Sequence, residues 1–181
     1  MLPRESQQLA HDHAELNGLL KEVQQALNGA DLEVSQARLD LFWARLAVHI
    51  RAEHLHLFPS VLDGLSDTAV EPTLNEARAA VERLRSDHNF FMRELARAIE
   101  TMRTLSSVRD NGTVNEGLQI VRDTIRKLEQ RLVTHNQSEE SQIYRWAGTV
   151  LNERSRAELA AQISDELMNR PPRFSLDVWS N

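Results

Sequence analysis

The stretch HIRAEHLHLF, residues 49–58, places an imidazole and a carboxylate on the apolar face of a predicted helix. Leu46 and Leu57 mark that face, and His49 and Glu53 fall on it because residues four apart are neighbours on a helix. Burying a carboxylate is costly unless another group neutralises it. The pair therefore raises the question of which group neutralises and coordinates these two side chains.

The same pattern occurs a second time, nearer the end of the chain. HNQSEESQIY, which begins at His135, repeats the order of imidazole, carboxylate, aliphatic and aromatic residue. Each copy follows a helix that opens with Asp-His, at Asp12 in DHAELNGLLKEVQQAL and at Asp87 in DHNFFMRELARAIETM. The histidines of these two Asp-His pairs also lie on apolar faces. Four predicted helices thus direct imidazoles and carboxylates to one axis, from His13, His49, Glu53, His88, His135 and Glu139.

Either half of this pattern has an ordinary explanation. A single histidine on an apolar face is commonly a hydrogen-bonded core residue, and one His-x-x-x-Glu pair occurs by chance. Two copies in register favour a metal site, because two buried glutamates without a cation would be strongly destabilising. A metal-free helical interaction module is the alternative.

The ligand types limit which metal the site would bind. The chain has no cysteine, which excludes thiolate metal sites, disulfides and cysteine nucleophiles. Six nitrogen and oxygen ligands are too many for one tetrahedral zinc ion. Imidazole with carboxylate suits iron, and carboxylates from opposite sides can bridge two ions, although these ligands alone do not separate iron from manganese. The ligand types therefore suit iron, and the two carboxylates leave room for two bridged ions.

Helical periodicity surrounds these ligands. Alternating β-branched runs are nearly absent, whereas apolar residues recur three and four apart. Asn-Gly in NGAD, residues 28–31, ends the first helix, and Pro59 bends or ends the second. The first predicted helix carries its apolar residues from 9 to 27, and the second runs from about 32 to 62. The third has Pro72 in its first turn and is broken at SSVRDNG, residues 106–112. The fourth carries apolar residues from 118 to 146 and ends near residue 148, and the fifth spans about 153–169.

These helices predict an all-α fold. Long helices joined by short connections indicate an antiparallel up-down-up-down four-helix bundle, residues 1–150. The short fifth helix and the tail, residues 151–181, are expected to pack on the same domain, with Phe174 and Trp179 docking the tail.

Residues 9–147 resemble the hemerythrin-like (HHE cation-binding) family in all four predicted helices. The matching motifs are DH, HIRAE with LFP, DH again, and HNQSEE with IY, in that order. Ferritin-type di-iron bundles use more Glu than His, in Glu-x-x-His units. Here the balance is reversed and the unit is His-x-x-x-Glu.

The resemblance implies a role for each of the six residues. The four histidines would be terminal ligands, and Glu53 and Glu139 would bridge two irons beside an oxo or hydroxo group. Oxygen-carrying hemerythrins have a fifth histidine one turn after the third-helix ligand, where this chain has Met92. One coordination place would then stay open on each iron, which favours peroxide or nitric oxide chemistry over simple carriage of O₂.

The other polar residues near the motifs are assigned by helix geometry. His11 is two residues from His13, so both cannot face the axis, and we expect His11 to be solvated. His54 is either a hydrogen-bond partner of the site or a surface residue, and His56 is kept as an alternative further ligand. Asp12 and Asp87 are expected to be exposed. The aromatic residues are expected to pack around the site: Phe58, Phe91, Tyr144 and Trp146.

Composition limits the partners. The net charge is −6 with both signs interspersed, so no basic patch indicates nucleic acid. No apolar run is long enough to span a membrane and no signal peptide is visible, which predicts a cytoplasmic protein. The expected partner is a small diatomic or peroxide ligand, whereas the oligomeric state and the electron donor leave no mark in the sequence.

Two functions need the same ligands. One is a di-iron protein that binds or senses O₂, NO or peroxide, and the other is an oxidoreductase that consumes peroxide or NO. The ligand set also resembles that of iron-centre repair proteins, which usually carry an N-terminal cysteine-containing domain that this chain lacks. The sequence does not separate binding from turnover.

Overall fold

The computed structural model describes residues 4–66 and 71–171, and these residues form helices with no strand among them. Two short segments have π-helical bonding and interrupt the α-helices. The elements are α1 (Arg4–Asn28), α2 (Leu32–Ala52), the first π segment (Glu53–Leu57), α3 (Phe58–Ser66), α4 (Glu71–Leu105), α5 (Asn111–Ser138), the second π segment (Glu139–Ile143), α6 (Tyr144–Val150) and α7 (Glu153–Met168).

Three helices begin where a side chain caps the first turn. Asp31 accepts a hydrogen bond from the backbone N–H of Val34 and starts α2. Asp110 does the same for α5 and Asn152 for α7. These side chains satisfy N–H groups that have no partner inside the helix. The helix starts near residues 32 and 153 are therefore confirmed, and α5 begins at Asn111, within the predicted break at 106–112.

The four long helices that carry the candidate histidine ligands, α1, α2, α4 and α5, pack side by side in a closed order. α1 packs on α2, α2 on α4, α4 on α5 and α5 on α1. The fifth predicted helix, α7, packs on α1, α2 and the first π segment. The predicted docking of Phe174 and Trp179 lies outside the described residues. None of the described helices is long and apolar enough to cross a membrane.

Two apolar clusters occupy the interior on either side of the candidate ligands. The first cluster is built by side chains of α1, α2, α4 and α5, including Leu20, Phe42 and Leu118. The second contains Leu9 of α1 and also draws on α3, α6 and α7, through residues such as Val61 and Ile163. A layer between two apolar clusters is shielded from solvent, so charged groups placed there must find their partners inside the protein.

Pro59 does not end the helix. The helix continues through Pro59 to Ser66, beyond the predicted end at Leu62. The first π segment lies just before it, and the N–H of Phe58 bonds to the carbonyl of Glu53, five residues earlier. The second π segment has no proline but begins at Glu139. Both π segments therefore begin at a buried glutamate, and such segments are frequent at functional sites.

The turn between α1 and α2 holds a strained residue. Ala30 has a φ of 54°, and it is the one non-glycine residue with a positive φ among those described. The predicted Asn-Gly stop is at the correct place, since α1 ends at Asn28. However, Ala30, and not Gly29, takes the left-handed conformation.

We predict that Ala30→Gly stabilises the protein by about 1 kcal/mol, because glycine adopts a positive φ without the clash of a Cβ atom. Ala26→Gly, the same substitution inside α1, should instead destabilise it by about 1 kcal/mol. Urea unfolding followed by circular dichroism measures both. A loss of stability in both variants would show that Ala30 is not strained.

Candidate metal centre

The six side chains predicted as ligands are all buried and come together between the two apolar clusters. They form two groups in which one nitrogen or oxygen atom of each residue lies within 4.8 Å of the others. Each group has two imidazoles of its own, and both groups share the two carboxylates. The first group is His13, His49, Glu53 and Glu139, and the second group is His88, His135, Glu53 and Glu139.

Glu53 spans the two groups with its two oxygens. Its Oε1 lies 3.1 Å from Nε2 of His49 in the first group. Its Oε2 lies 3.2 Å from Nε2 of His88 in the second group. One carboxylate thus presents an oxygen to each group, which is the arrangement of a bridging ligand.

Glu139 spans the groups in the same way from the opposite side. Its Oε2 lies 3.2 Å from Nε2 of His13, and its Oε1 lies 3.2 Å from Nε2 of His135. Within each group the two imidazole Nε2 atoms are 3.0 Å apart, for His13 with His49 and for His88 with His135. All four Nε2 atoms therefore face the carboxylates.

A polar partner faces the outer nitrogen, Nδ1, of each imidazole. Asp12 Oδ2 is 2.9 Å from His49 Nδ1, and Asp87 Oδ2 is 3.3 Å from His135 Nδ1. Because a carboxylate only accepts, each of these Nδ1 atoms carries the proton. The inner Nε2 atom is then the one available to a metal, as in carboxylate–histidine–metal triads.

The expectation that Asp12 and Asp87 are exposed is wrong. Asp12 is 5% exposed, and the Asp87 side chain is 21% exposed. Each faces the neighbouring helix, where an arginine also binds it. Arg45 donates to Asp12, and Arg131 Nη2 lies 2.6 Å from Asp87 Oδ1.

A repeated sequence pattern indicates these two arginines, which are not among the residues predicted above. Arg45 and Arg131 each precede a candidate ligand by four residues, in RLAVH and RLVTH. Arg45 Nη2 also lies 2.7 Å from Glu15 Oε2. Both chains of contacts run from arginine through aspartate to imidazole, so the duplication extends beyond the six candidate ligands.

The histidines outside the two groups have different surroundings. His11 is exposed beside Glu15, as predicted. His54 is half-buried, and its Nε2 atom lies 2.8 Å from Nδ1 of His88. Of the two predicted roles, His54 is therefore a hydrogen-bond partner of the site and not a surface residue. Burial, assisted by His88, lowers the pKa of His54.

The structure does not bring His56 into either group. Its Nε2 lies 3.7 Å from Oε2 of Glu166 on α7. Met92 is half-buried and packs against the first apolar cluster.

Aromatic side chains pack against the imidazoles, as predicted for three of the four. Phe58 stacks on His88 with ring centroids 6.0 Å apart, and Tyr144 stacks on His13 at the same separation. Phe91 meets His135 edge-on at 5.2 Å. Trp146 packs at the margin of the second apolar cluster.

The carboxylates of the site are ionised in spite of their burial. Burial raises the pKa of Glu53, but the imidazoles of His49 and His88 outweigh it and hold this pKa well below its usual value. Burial and the charge of Glu53 likewise oppose ionisation of Glu139, yet His135 and His13 bring the pKa of Glu139 below its usual value.

The pKa values of two of the imidazoles shift in the opposite direction, upward. Burial lowers the pKa of His49, but Glu53 and Asp12 together raise it well above the ordinary value. The pKa of His135 is also raised, because Glu139 outweighs the effect of burial. Tyr144 stays protonated, since burial and the nearby Glu139 raise its pKa well above the ordinary value. The pocket therefore attracts positive charge.

The orphaned oxygens of the pocket fit metal cations. Within the described residues, neither oxygen of Glu53 or of Glu139 accepts a hydrogen bond, although each lies close to an imidazole nitrogen. Buried carboxylate oxygens that accept no hydrogen bond are rare in native proteins. Cations between the oxygens and the inward-facing Nε2 atoms would neutralise the carboxylates. A set of only nitrogen and oxygen donors suits iron or another first-row transition metal.

The fold and the site define an all-helical protein with a buried imidazole–carboxylate cluster suited to binding metal. The family model of the hemerythrin HHE cation-binding domain matches residues 7–147. The chain belongs to this family, and the predicted resemblance is confirmed. No curated protein and no solved structure matches the chain significantly.

We predict that Asp12→Ala destabilises the metal-free protein by about 2 kcal/mol, because it leaves buried Arg45 and His49 without their shared acceptor. Glu15→Ala removes the other, half-exposed partner of Arg45 and should cost less than about 1 kcal/mol. Chemical unfolding in the presence of a chelator measures both. Equal losses would contradict a structural role for the buried contact of Asp12.

Proposed function

We propose that this chain is a hemerythrin-like protein that holds two iron ions in the buried cluster and binds O₂, NO or peroxide there. The observation that carries the proposal is the position of Glu53 and Glu139, each of which presents one oxygen to each imidazole pair. A single-metal site would not need two carboxylates that both reach two separate groups.

The ligands of each ion follow from the two groups. His13 and His49 would hold one iron, His88 and His135 would hold the other, and the two glutamates would bridge them. Each group supplies four protein donors, whereas an octahedral ion has six places. Two places per ion would thus remain for non-protein ligands, one of which could be an exogenous small molecule. Reversible binding or reduction of that molecule is the chemistry the irons supply.

The same proposal includes an antiparallel up-down-up-down bundle. Its support comes from two contacts that α1 makes with α5 and the residue after it. Arg122, in the first half of α5, donates to the carbonyl of Leu27 at the end of α1. Glu139, directly after α5, faces His13, nearer the start of α1. Such pairs are expected of neighbouring helices that run in opposite directions.

Tyr144 favours a second candidate, a di-iron oxidoreductase that consumes peroxide or NO. Its hydroxyl lies 3.4 Å from Nε2 of His13 and is fully buried. A protonated phenol at this place can donate a hydrogen bond to a ligand, and a reductive reaction also requires a proton donor. Phe58, at the matching position of the other half, offers no such group.

We expect about two irons per chain after iron-replete expression, with near-ultraviolet absorption typical of oxo-bridged di-ferric centres by family resemblance. Glu53→Ala should lose iron, because each metal loses a shared ligand. His56→Ala, which changes a histidine on the same π segment outside both groups, is the matched control and should keep full iron content. Elemental analysis measures both, and Glu53→Ala protein that retains both irons would refute the bridging role.

Stopped-flow mixing of the reduced protein with NO or peroxide separates the two candidates. We expect a single spectral change that saturates at a fixed ratio of ligand to protein and reverses on removal of NO. Tyr144→Phe should keep its iron but release NO faster, because the hydroxyl donor is lost. Repeated consumption of either compound in the presence of a reductant would instead establish the oxidoreductase.

A further inference from the structure

The internal duplication gives nearly every polar residue of the centre a counterpart in the other half of the chain. Each candidate ligand in one half corresponds to a candidate ligand of the same type in the other half. The aspartates that contact two of the imidazoles, and the arginines that bind those aspartates, correspond in the same way. The matched pairs are His13 with His88, His49 with His135, Glu53 with Glu139, Asp12 with Asp87, and Arg45 with Arg131. The halves differ at several equivalent positions, for example where Arg45 pairs with Glu15 but Arg131 packs on Phe90. Two of these differences lie at the imidazoles of His13 and His88: His54 is equivalent to Glu140, and Phe58 is equivalent to Tyr144.

We propose that the two metal positions are unequal, and that the position at His13 and His49 binds its cation first and more tightly. This inference rests on the proposed function, since it presupposes that both groups bind metal. The difference is assigned to His54 and Glu140, which act as positioning residues through the imidazoles they contact.

His54 and Glu140 occupy equivalent places on opposite sides of the centre. Glu140 Oε1 lies 3.3 Å from Nδ1 of His13, and His54 Nε2 lies 2.8 Å from Nδ1 of His88. Each reaches from one half of the duplication to the ligand of the other half. The geometry is therefore shared while the chemistry differs, with a carboxylate in one place and an imidazole in the other.

The two partners affect the imidazoles differently. A carboxylate that accepts the Nδ1 proton orients the ring and makes its Nε2 atom a stronger donor to metal. For His88 to offer Nε2 to a metal, its Nδ1 must donate to His54, which must then be the uncharged tautomer with Nε2 free. A neutral acceptor strengthens the donor less than a charged one does. His88 is thus the weakest of the four imidazole ligands.

The second unmatched pair adds to the same difference. Phe58 stacks on His88 and Tyr144 stacks on His13 in equivalent positions. Only Tyr144 brings a polar atom, its hydroxyl, which lies 3.4 Å from Nε2 of His13. The first group is therefore surrounded by Asp12, Glu140 and a phenol, and the second group by Asp87, a neutral imidazole and a phenyl ring.

The expected size of the difference is moderate. Partners of ligating imidazoles typically change metal affinity by 10–100-fold. Glu140 is 45% exposed at its side chain, so solvent screens part of its charge. We therefore expect the two stepwise dissociation constants to differ by about tenfold, near the lower end of that range.

Titration of the metal-free protein with Co²⁺ tests this inequality. Calorimetry should resolve two steps whose dissociation constants differ by about tenfold. Tyr144 is the one tyrosine of the chain, so ¹³C-labelled tyrosine gives a single reporter beside the first group. Because paramagnetic shifts decrease steeply with distance, most of the shift of Tyr144 should appear with the first equivalent of Co²⁺.

Exchange of the two partners provides the decisive variants. His54→Glu should tighten the second step and bring the two constants together. Glu140→His should weaken the first step and also bring them together, and it changes a half-exposed residue that folding tolerates. In the double variant the steps separate again, but most of the Tyr144 shift should move to the second equivalent. Glu22→Gln removes an equally exposed carboxylate that pairs with Arg38, and it should leave both steps unchanged.

The outcomes separate this inference from the proposed function. A protein that binds no Co²⁺ would overturn both. Two steps of equal affinity in the unaltered protein, or a ratio that neither His54→Glu nor Glu140→His changes, would overturn the inequality and leave the metal centre standing. A Tyr144 shift that appears equally over both equivalents would also contradict the order of filling.

Discussion

Two ionised carboxylates in the interior are the constraint on which the rest of this structure depends. Glu53 and Glu139 have no exposed surface, and their oxygens accept no hydrogen bond among the described residues. An uncompensated charge in such a place would cost several kcal/mol, of the order found when one partner of a buried ion pair is removed. Imidazoles from four helices therefore surround them, and the first and second apolar clusters close the layer on both sides.

The same constraint explains the local helix geometry. Both π segments begin at a buried glutamate, Glu53 or Glu139, directly after the α-helix that carries the histidine of the same ligand pair. Beyond that glutamate the rotation per residue differs from that of an α-helix. Beyond the π segments, α3 and α6 pack on each other within the second apolar cluster. The departure from α-helical bonding thus lets one continuous length of chain both present a ligand pair and build the apolar layer beyond it.

The centre is a duplicated structure whose copies have diverged at the contacts behind the ligands. The residues that would touch metal are the same in both halves, and the aspartates and arginines behind two of the imidazoles are the same as well. The halves differ at the partners of His13 and His88. A two-metal centre can therefore become asymmetric with no change in its ligands, because the basicity of an imidazole depends on what accepts its other proton.

The sequence alone determined the all-helical fold class, the six candidate ligands and the family. These depend on local periodicity, since residues four apart on a helix share a face whatever the helix packs against. The tertiary structure decided the surroundings of Asp12, Asp87 and His54, because their partners belong to other helices and depend on how neighbouring helices are rotated. The tertiary structure also decided that His56 lies outside both candidate groups, although α-helical periodicity placed it near the ligand face. In the first π segment the rotation per residue is smaller than the roughly 100° of an α-helix. Three residues after Glu53, His56 has therefore not rotated back to the face that carries the ligands. It contacts Glu166 on α7 instead.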